Sequence, residues 1–334
     1  MKTTGKRHFM VFSGLILFVL CFLASCGTLD VEKKYQKESH IAVRHIRSQQ
    51  KPNGAWRSVL SQDSLAQQTK KGDDAWVNLH VLHLLSTLDE TYNLDSTILI
   101  GERFLGSLRD NETGILKATL RPKNYPPEVG LNAFYDLYPF RAADFLNPSF
   151  FDSLKHYRNK DKLFKSWMRR KGLAGFPGVG REKNPVDFAG NGLVLLYFKK
   201  FDPGEADKLF KTIQEAVDQE KLTSVYHERS PWFLWLLQKE LYQAGYPIDL
   251  PAQVGKTLDG QEKYAQMAQL IHQLSTDPEN RNQWLTKADK LLAEVSADKF
   301  ALIRNHPMLI YHSDLTAKRP VFVWSQAVPL ALWL

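Results

Sequence analysis

Apolar residues recur along this chain in two patterns, and both belong to helices. The first pattern is a one-sided stripe. Asp202-Pro203-Gly204-Glu205 supplies an N-cap, a proline at the first helical position and a glutamate at the third. Ala206, Leu209, Phe210, Ile213 and Val217 follow at helical spacing, with charges on the opposite face. Asp277-Pro278-Glu279 opens a second stripe of Trp284, Leu285, Ala288, Leu291, Leu292 and Val295. Asp95 precedes a third, made of Ile98, Phe104, Leu105 and Leu108. The second pattern is apolar nearly all round. It covers 75–88, 188–198, 231–241 and 320–334. A helix with no polar face is expected to be buried on every side. Ser230-Pro231 starts the third of these and Gly245 closes it, whereas Pro329 is expected to kink the last.

The two kinds alternate. Helices are expected at 75–88, 95–108, near 131–145, at 149–171, 187–199, 203–219 and 230–244. Two concentric helix layers would produce this order, the inner one packed on both of its sides. No stretch sustains the two-residue alternation of a strand, and 246–262 carries no readable element. The expected class is all-α, with residues 41–334 forming a single domain.

The N-terminus carries a separate message. Lys2, Lys6 and Arg7 precede an apolar run from Phe9 to Leu23, which is followed by Leu23-Ala24-Ser25-Cys26. This is the layout of a secretory signal. The apolar run is short of the roughly 20 residues that span a bilayer. Leu-Ala-Ser-Cys resembles the lipobox of bacterial lipoproteins. That resemblance implies a signal peptide at 1–25, lipidation (palmitate among the acyl groups) at Cys26 and a tether at 26–40. It also implies a location in the cell envelope. Gly27 stands where an inner-membrane retention Asp would sit, which favours the outer membrane. A plain secretory signal with an incidental cysteine is the alternative. Both cysteines, Cys21 and Cys26, lie in this segment, so disulfides and thiol chemistry are excluded beyond it.

Losing Lys2, Lys6 and Arg7 lowers the formal charge from +8 to +5, and the remaining excess is scattered. Arg169-Arg170-Lys171 and Lys199-Lys200 suit either an anionic surface or ordinary helix C-termini. Nothing points to nucleic acid.

Gln50-Lys51-Pro52-Asn53-Gly54-Ala55-Trp56 resembles the Gln-x-x-x-Gly-x-Trp element of the terpenoid cyclase and protein prenyltransferase toroids. Asp74-Ala75-Trp76-Val77-Asn78 opens an apolar helix after it. Asp187-Phe188-Ala189-Gly190-Asn191 opens another after the turn Gly175-Phe176-Pro177-Gly178. The resemblance implies an α/α toroid of two helix layers, a complete or incomplete six-hairpin barrel. It does not carry the family's reactions across, because the Asp-x-Asp-Asp proton donor and the cysteine zinc ligand are both missing.

The candidate chemistry lies at the helix starts. Asp74 with Asn78, and Asp187 with Asn191, each share a helix face at i and i+4. In a toroid these starts converge on one mouth, where Asp74, Asp187 and Glu228 would be the catalytic candidates as an acid/base set. Capping explains an Asp there equally well, and an ion pair explains Glu228. Asp73, Trp76, Asn78, Asn191 and Trp232 are the candidate ligand-binding residues, with aromatic faces for a sugar or a lipid-like chain. Asp73, His80 and His83 have loose metal-ligand spacing, but the helix is strongly apolar and core histidines are the reading adopted. No cofactor motif is present. Three functions are consistent with these features. The first is a tethered toroid that binds a glycan or lipid-like ligand in its cavity. The second is a carbohydrate-active hydrolase or lyase using paired carboxylates. The third is a structural envelope protein.

Overall fold

The computed structural model describes residues 33–61, 69–71, 75–108, 158–165, 185–227, 231–249, 262–312 and 320–334. Cys26, Asp73, Asp74, Glu228, the helix expected at 131–145 and the turn Gly175–Gly178 lie outside these residues.

The described chain is mostly helical. In chain order it forms α1 (Gln36–Gln49), β1 (Val59–Ser61), β2 (Thr69–Lys71), α2 (Ala75–Ser86), α3 (Asp89–Tyr92) and α4 (Asp95–Ser107). Then come α5 (Phe188–Phe201), α6 (Pro203–Asp218), α7 (Pro231–Gln243), α8 (Lys263–Thr276), α9 (Arg281–Ala297) and α10 (Ala301–Arg304). The C-terminal part forms β3 (Met308–His312), β4 (Pro320–Trp324) and α11 (Ala327–Trp333).

The two apolar patterns separate as their periodicity requires. Along α5, Phe188, Ala189 and every residue from Asn191 to Phe198 are buried. α6 buries only Ala206, Leu209, Ile213 and Ala216, one residue per turn. Asp202 caps it by accepting from Glu205 N, with Pro203 in the first turn. α2 is buried on all sides, whereas α4 buries the face of Thr97, Ile98, Gly101, Phe104 and Leu105. α4 packs on α2, α6 on α5, and α9 on α8. α7 lies between α5 and α8, and α11 packs on α1, α2 and α8. The two ends of the described chain therefore meet: Tyr35 stacks edge-on against Trp333 and donates its hydroxyl to Asp289 of α9.

Three expectations change. The stretch 320–334 is a strand followed by a short helix, because Ser325-Gln326 interrupts it. Pro329 then sits in the first turn of α11, where the missing N–H costs nothing and no kink follows. Residues 158–165, expected to be helical, form a turn closed by the bridges Arg158–Phe164 and Lys165–Val186. Strands also occur: β2-β1-β4-β3 is an antiparallel sheet, with Val59 opposite Trp324 and Met308 opposite Val323. Its strands show no alternation because β1 and β2 are three residues each and β3 and β4 are largely apolar throughout. The first helix, α1, begins at Gln36, where the polar sequence allows either a tether or a first helical turn.

Candidate functional site

The Gln50–Trp56 turn and the Arg158–Phe164 turn have the same construction. In the first, Lys51 N donates to Ala55 O and Gly54 N to Lys51 O. In the second, Asn159 N donates to Leu163 O and Lys162 N to Asn159 O. Gly54 and Lys162 hold the matching positive φ, 93° and 64°. The residue opening each turn reaches the third residue of a one-sided helix, 47 positions later in both cases. Gln50 Nε2 donates to Thr97 O at 2.9 Å, and Arg158 Nη2 to Glu205 Oε2 at 3.0 Å. The aromatic that closes each turn donates its backbone N–H to an asparagine on the buried helix: Trp56 to Asn78 Oδ1 at 2.9 Å, Phe164 to Asn191 Oδ1 at 2.8 Å. Asn191 Nδ2 also donates to Phe164 O and Asp187 O. Asn78 and Asn191 are fully buried and act as latches between turn and helix. The counterpart of the Gln50–Trp56 turn before α5 is thus Arg158–Phe164.

Asp187 is 2 % exposed and caps α5. Its carboxylate accepts from Gly190 N (3.3 Å), Val225 N (2.6 Å) and Tyr226 N (3.4 Å), pinning the 223–226 segment to the helix start. Burial pushes its pKa up to about 6, against the downward pull of these amides. Its counterpart Asp74 and the candidate Glu228 are not among the described residues. Trp76 lies in the first turn of α2; its side chain is likewise not described.

Trp232, 1 % exposed, donates Nε1 to Leu309 O at 2.8 Å, and Tyr264 OH accepts from Leu309 N at 3.2 Å. These two bonds tie β3 to α7 and α8. His80 of α2 lies edge-on to Trp232 and Phe233, with centroids 5.7 and 5.4 Å away. One turn on, His83 Nε2 meets Glu240 Oε1 at 2.9 Å, and Lys239 Nζ reaches the same oxygen at 3.0 Å. Burial alone would raise the Glu240 pKa, but the His83 hydrogen bond and the charges of His83 and Lys239 prevail and hold it at about 2. Among the described residues, no three His, Cys, Asp or Glu cluster as a metal site would require.

Two pockets border this frame. One, of about 270 Å³, lies between α2, α7, α8, α9 and α11. Leu84, Met267, Leu270, Leu291 and Leu292 line it with Lys239, and apart from Thr87 the rest of its wall is apolar too. The other, of about 360 Å³, has Lys51, Arg57 and Arg304 in its lining and lies where the first turn meets β4. Neither was apparent from the sequence. The one available signal was Lys239-Glu240, a charged pair inside an otherwise apolar stretch. No protein-family model matches the chain, and no curated protein matches it either.

Proposed function

We propose that the chain is a lipoprotein anchored at Cys26, with an α/α toroid that binds one acyl-chain amphiphile in the apolar pocket. The two equivalent turn-and-helix units, the alternation of buried and one-sided helices, and the meeting of the chain ends support the toroid. The observation that carries the binding reading is the pocket wall. It is apolar except for Thr87 and Lys239, whose side chain is only 18 % exposed and whose ammonium pairs with Glu240. Such a site fits a hydrocarbon chain with an anionic head, while a glycan would leave its hydroxyls without partners. Cys26 is nine residues before Tyr35, so a lipid on Cys26 would hold Tyr35, which packs on the pocket residue Trp333, within about 30 Å of a membrane. Asp187, enclosed and bonded to its own backbone, supports binding over catalysis.

A fluorescent long-chain fatty acid tests this on the Cys26→Ser form, which carries no lipid of its own. Saturable binding that raises the unfolding midpoint is expected. Met267→Trp fills the pocket and should abolish binding while the protein still folds. Lys239→Met should weaken binding of the acid but not of the matching alcohol. No saturable binding, or binding indifferent to Met267→Trp, overturns the reading. Palmitate labelling of the parent chain, lost in Cys26→Ser, tests the anchor separately.

A further inference from the structure

The basic pocket stands apart from the apolar one and does not rest on that reading. Its lining combines Lys51 of the first turn, Arg57 just before β1, Arg304 at the end of α10, and Trp324-Ser325-Gln326 between β4 and α11. Among the described residues its lining holds three cations and no carboxylate.

Arg304 donates Nε and Nη2 to Gln326 Oε1, at 3.2 and 3.1 Å, and Nη1 lies 3.4 Å from His45 Nε2. Gln326 carries no charge, and burial with the charges of Arg304 and Arg44 holds the His45 pKa down. Arg57 is exposed beside it. The wall also holds two buried polar atoms without partners among the described residues, Trp324 Nε1 and Ser325 Oγ. Ser325 is only 4 % exposed. An unsatisfied buried N–H or O–H costs about 1–3 kcal/mol, so two in one wall need an explanation. A group offering several acceptor oxygens and two negative charges matches the two guanidinium groups, and it supplies acceptors toward which the two enclosed donors can turn.

We propose that this recess binds a phosphate group, held by Arg57 and Arg304, with the enclosed Ser325 hydroxyl and Trp324 indole turning toward it on binding. The volume of about 360 Å³ exceeds that of a lone ion and accommodates a phosphomonoester with a small organic part.

The test uses the full chain in non-ionic detergent, read by calorimetric titration and unfolding midpoint. The probes are inorganic phosphate, glycerol phosphate, and phosphatidic acid in the micelles against phosphatidylcholine; sodium chloride is matched for ionic strength. Phosphate is expected to bind and to raise the midpoint beyond the chloride control. Arg57→Gln touches no described partner, so it should fold as the parent does and bind phosphate about tenfold or more weakly. Ser325→Ala should weaken binding while removing an unsatisfied hydroxyl from the fold. Preference for phosphatidic acid, lost in Arg57→Gln, identifies a lipid headgroup; preference for glycerol phosphate identifies a soluble ester. A midpoint shift no larger than that of chloride, or binding unchanged in both variants, overturns the proposal.

Discussion

Asp187 and Glu240 are both enclosed carboxyl groups, yet their surroundings drive their protonation in opposite directions. At Asp187 burial outweighs the backbone amides and the folded pKa rises from 3.8 to about 6. The folded state then holds more protons than the unfolded one across that interval, so this group's contribution is present below pH 3.8 and is lost as pH rises through about 6. At Glu240 the His83 and Lys239 charges win and the folded pKa falls from 4.5 to about 2. Its contribution is present above pH 4.5 and is lost as pH falls toward 2. Urea unfolding between pH 2 and 7 should show both limbs. Asp187→Asn should flatten the loss between pH 4 and 6, while Glu240→Gln should flatten the acid limb and lower stability at pH 7 by about 3 kcal/mol. An Asp187→Asn variant with the parent's slope between pH 4 and 6 would mean that the carboxylate stays ionised in the fold. The Asp187 cap was legible in the sequence as one of two readings. The Val225 and Tyr226 amides that complete it were not, because they come from 38 and 39 residues away.

At the scale of elements, the turn-to-helix latch organises two parts of the chain in the same way. Asn191→Ala would remove the side-chain bonds to Phe164 N and Phe164 O inside the core, while Asp187 O keeps the Asn191 N–H. The expected cost is about 3 kcal/mol, since each buried unsatisfied group costs about 1–3 kcal/mol. Asn78→Ala should cost a similar amount if the two latches are equivalent; denaturant midpoints compare them. Gly101 belongs to the same assembly: a Cβ there would lie 2.7 Å from the Trp56 ring, which is how α4 approaches the first turn so closely. The first turn was readable because it keeps Gln, Gly and Trp at the expected spacing. The second replaces them with Arg158, Lys162 and Phe164, preserving backbone geometry and reach while changing every signature residue. Pattern matching fails at such a site because the hydrogen bonds are made largely by backbone, which any residue supplies.

For the whole molecule, closure between the chain ends matters most. Trp333 packs edge-on against both Tyr35 and Phe300, joining α11 to α1 and α10. Trp333→Ala should cost about 3–5 kcal/mol. It should also speed hydrogen exchange in 36–49 and 327–333 together, with 188–201 and 231–243 little affected. Trp333→Phe should cost far less, because the indole Nε1 has no partner in the described structure. Exchange that rises at only one end would show that the ends are held independently.

By itself the sequence determined the helical class, the division between all-round apolar and one-sided helices at 188–198 and 203–219, and the Asp202 cap, and it offered the Asp187 cap as one of two readings. These properties follow from local periodicity and from backbone groups only a few residues away. Tertiary structure alone decided that 320–324 joins 59–61 in a sheet, that Arg158–Phe164 is the partner of Gln50–Trp56, and that both pockets exist. The sheet and the pockets depend on groups more than one hundred positions apart, as when Val59 meets Trp324, and the Arg158–Phe164 turn on Asn191 and Glu205, 27 and 47 positions on. At that separation the deciding quantities are packing and hydrogen-bond satisfaction across elements, which no local pattern encodes.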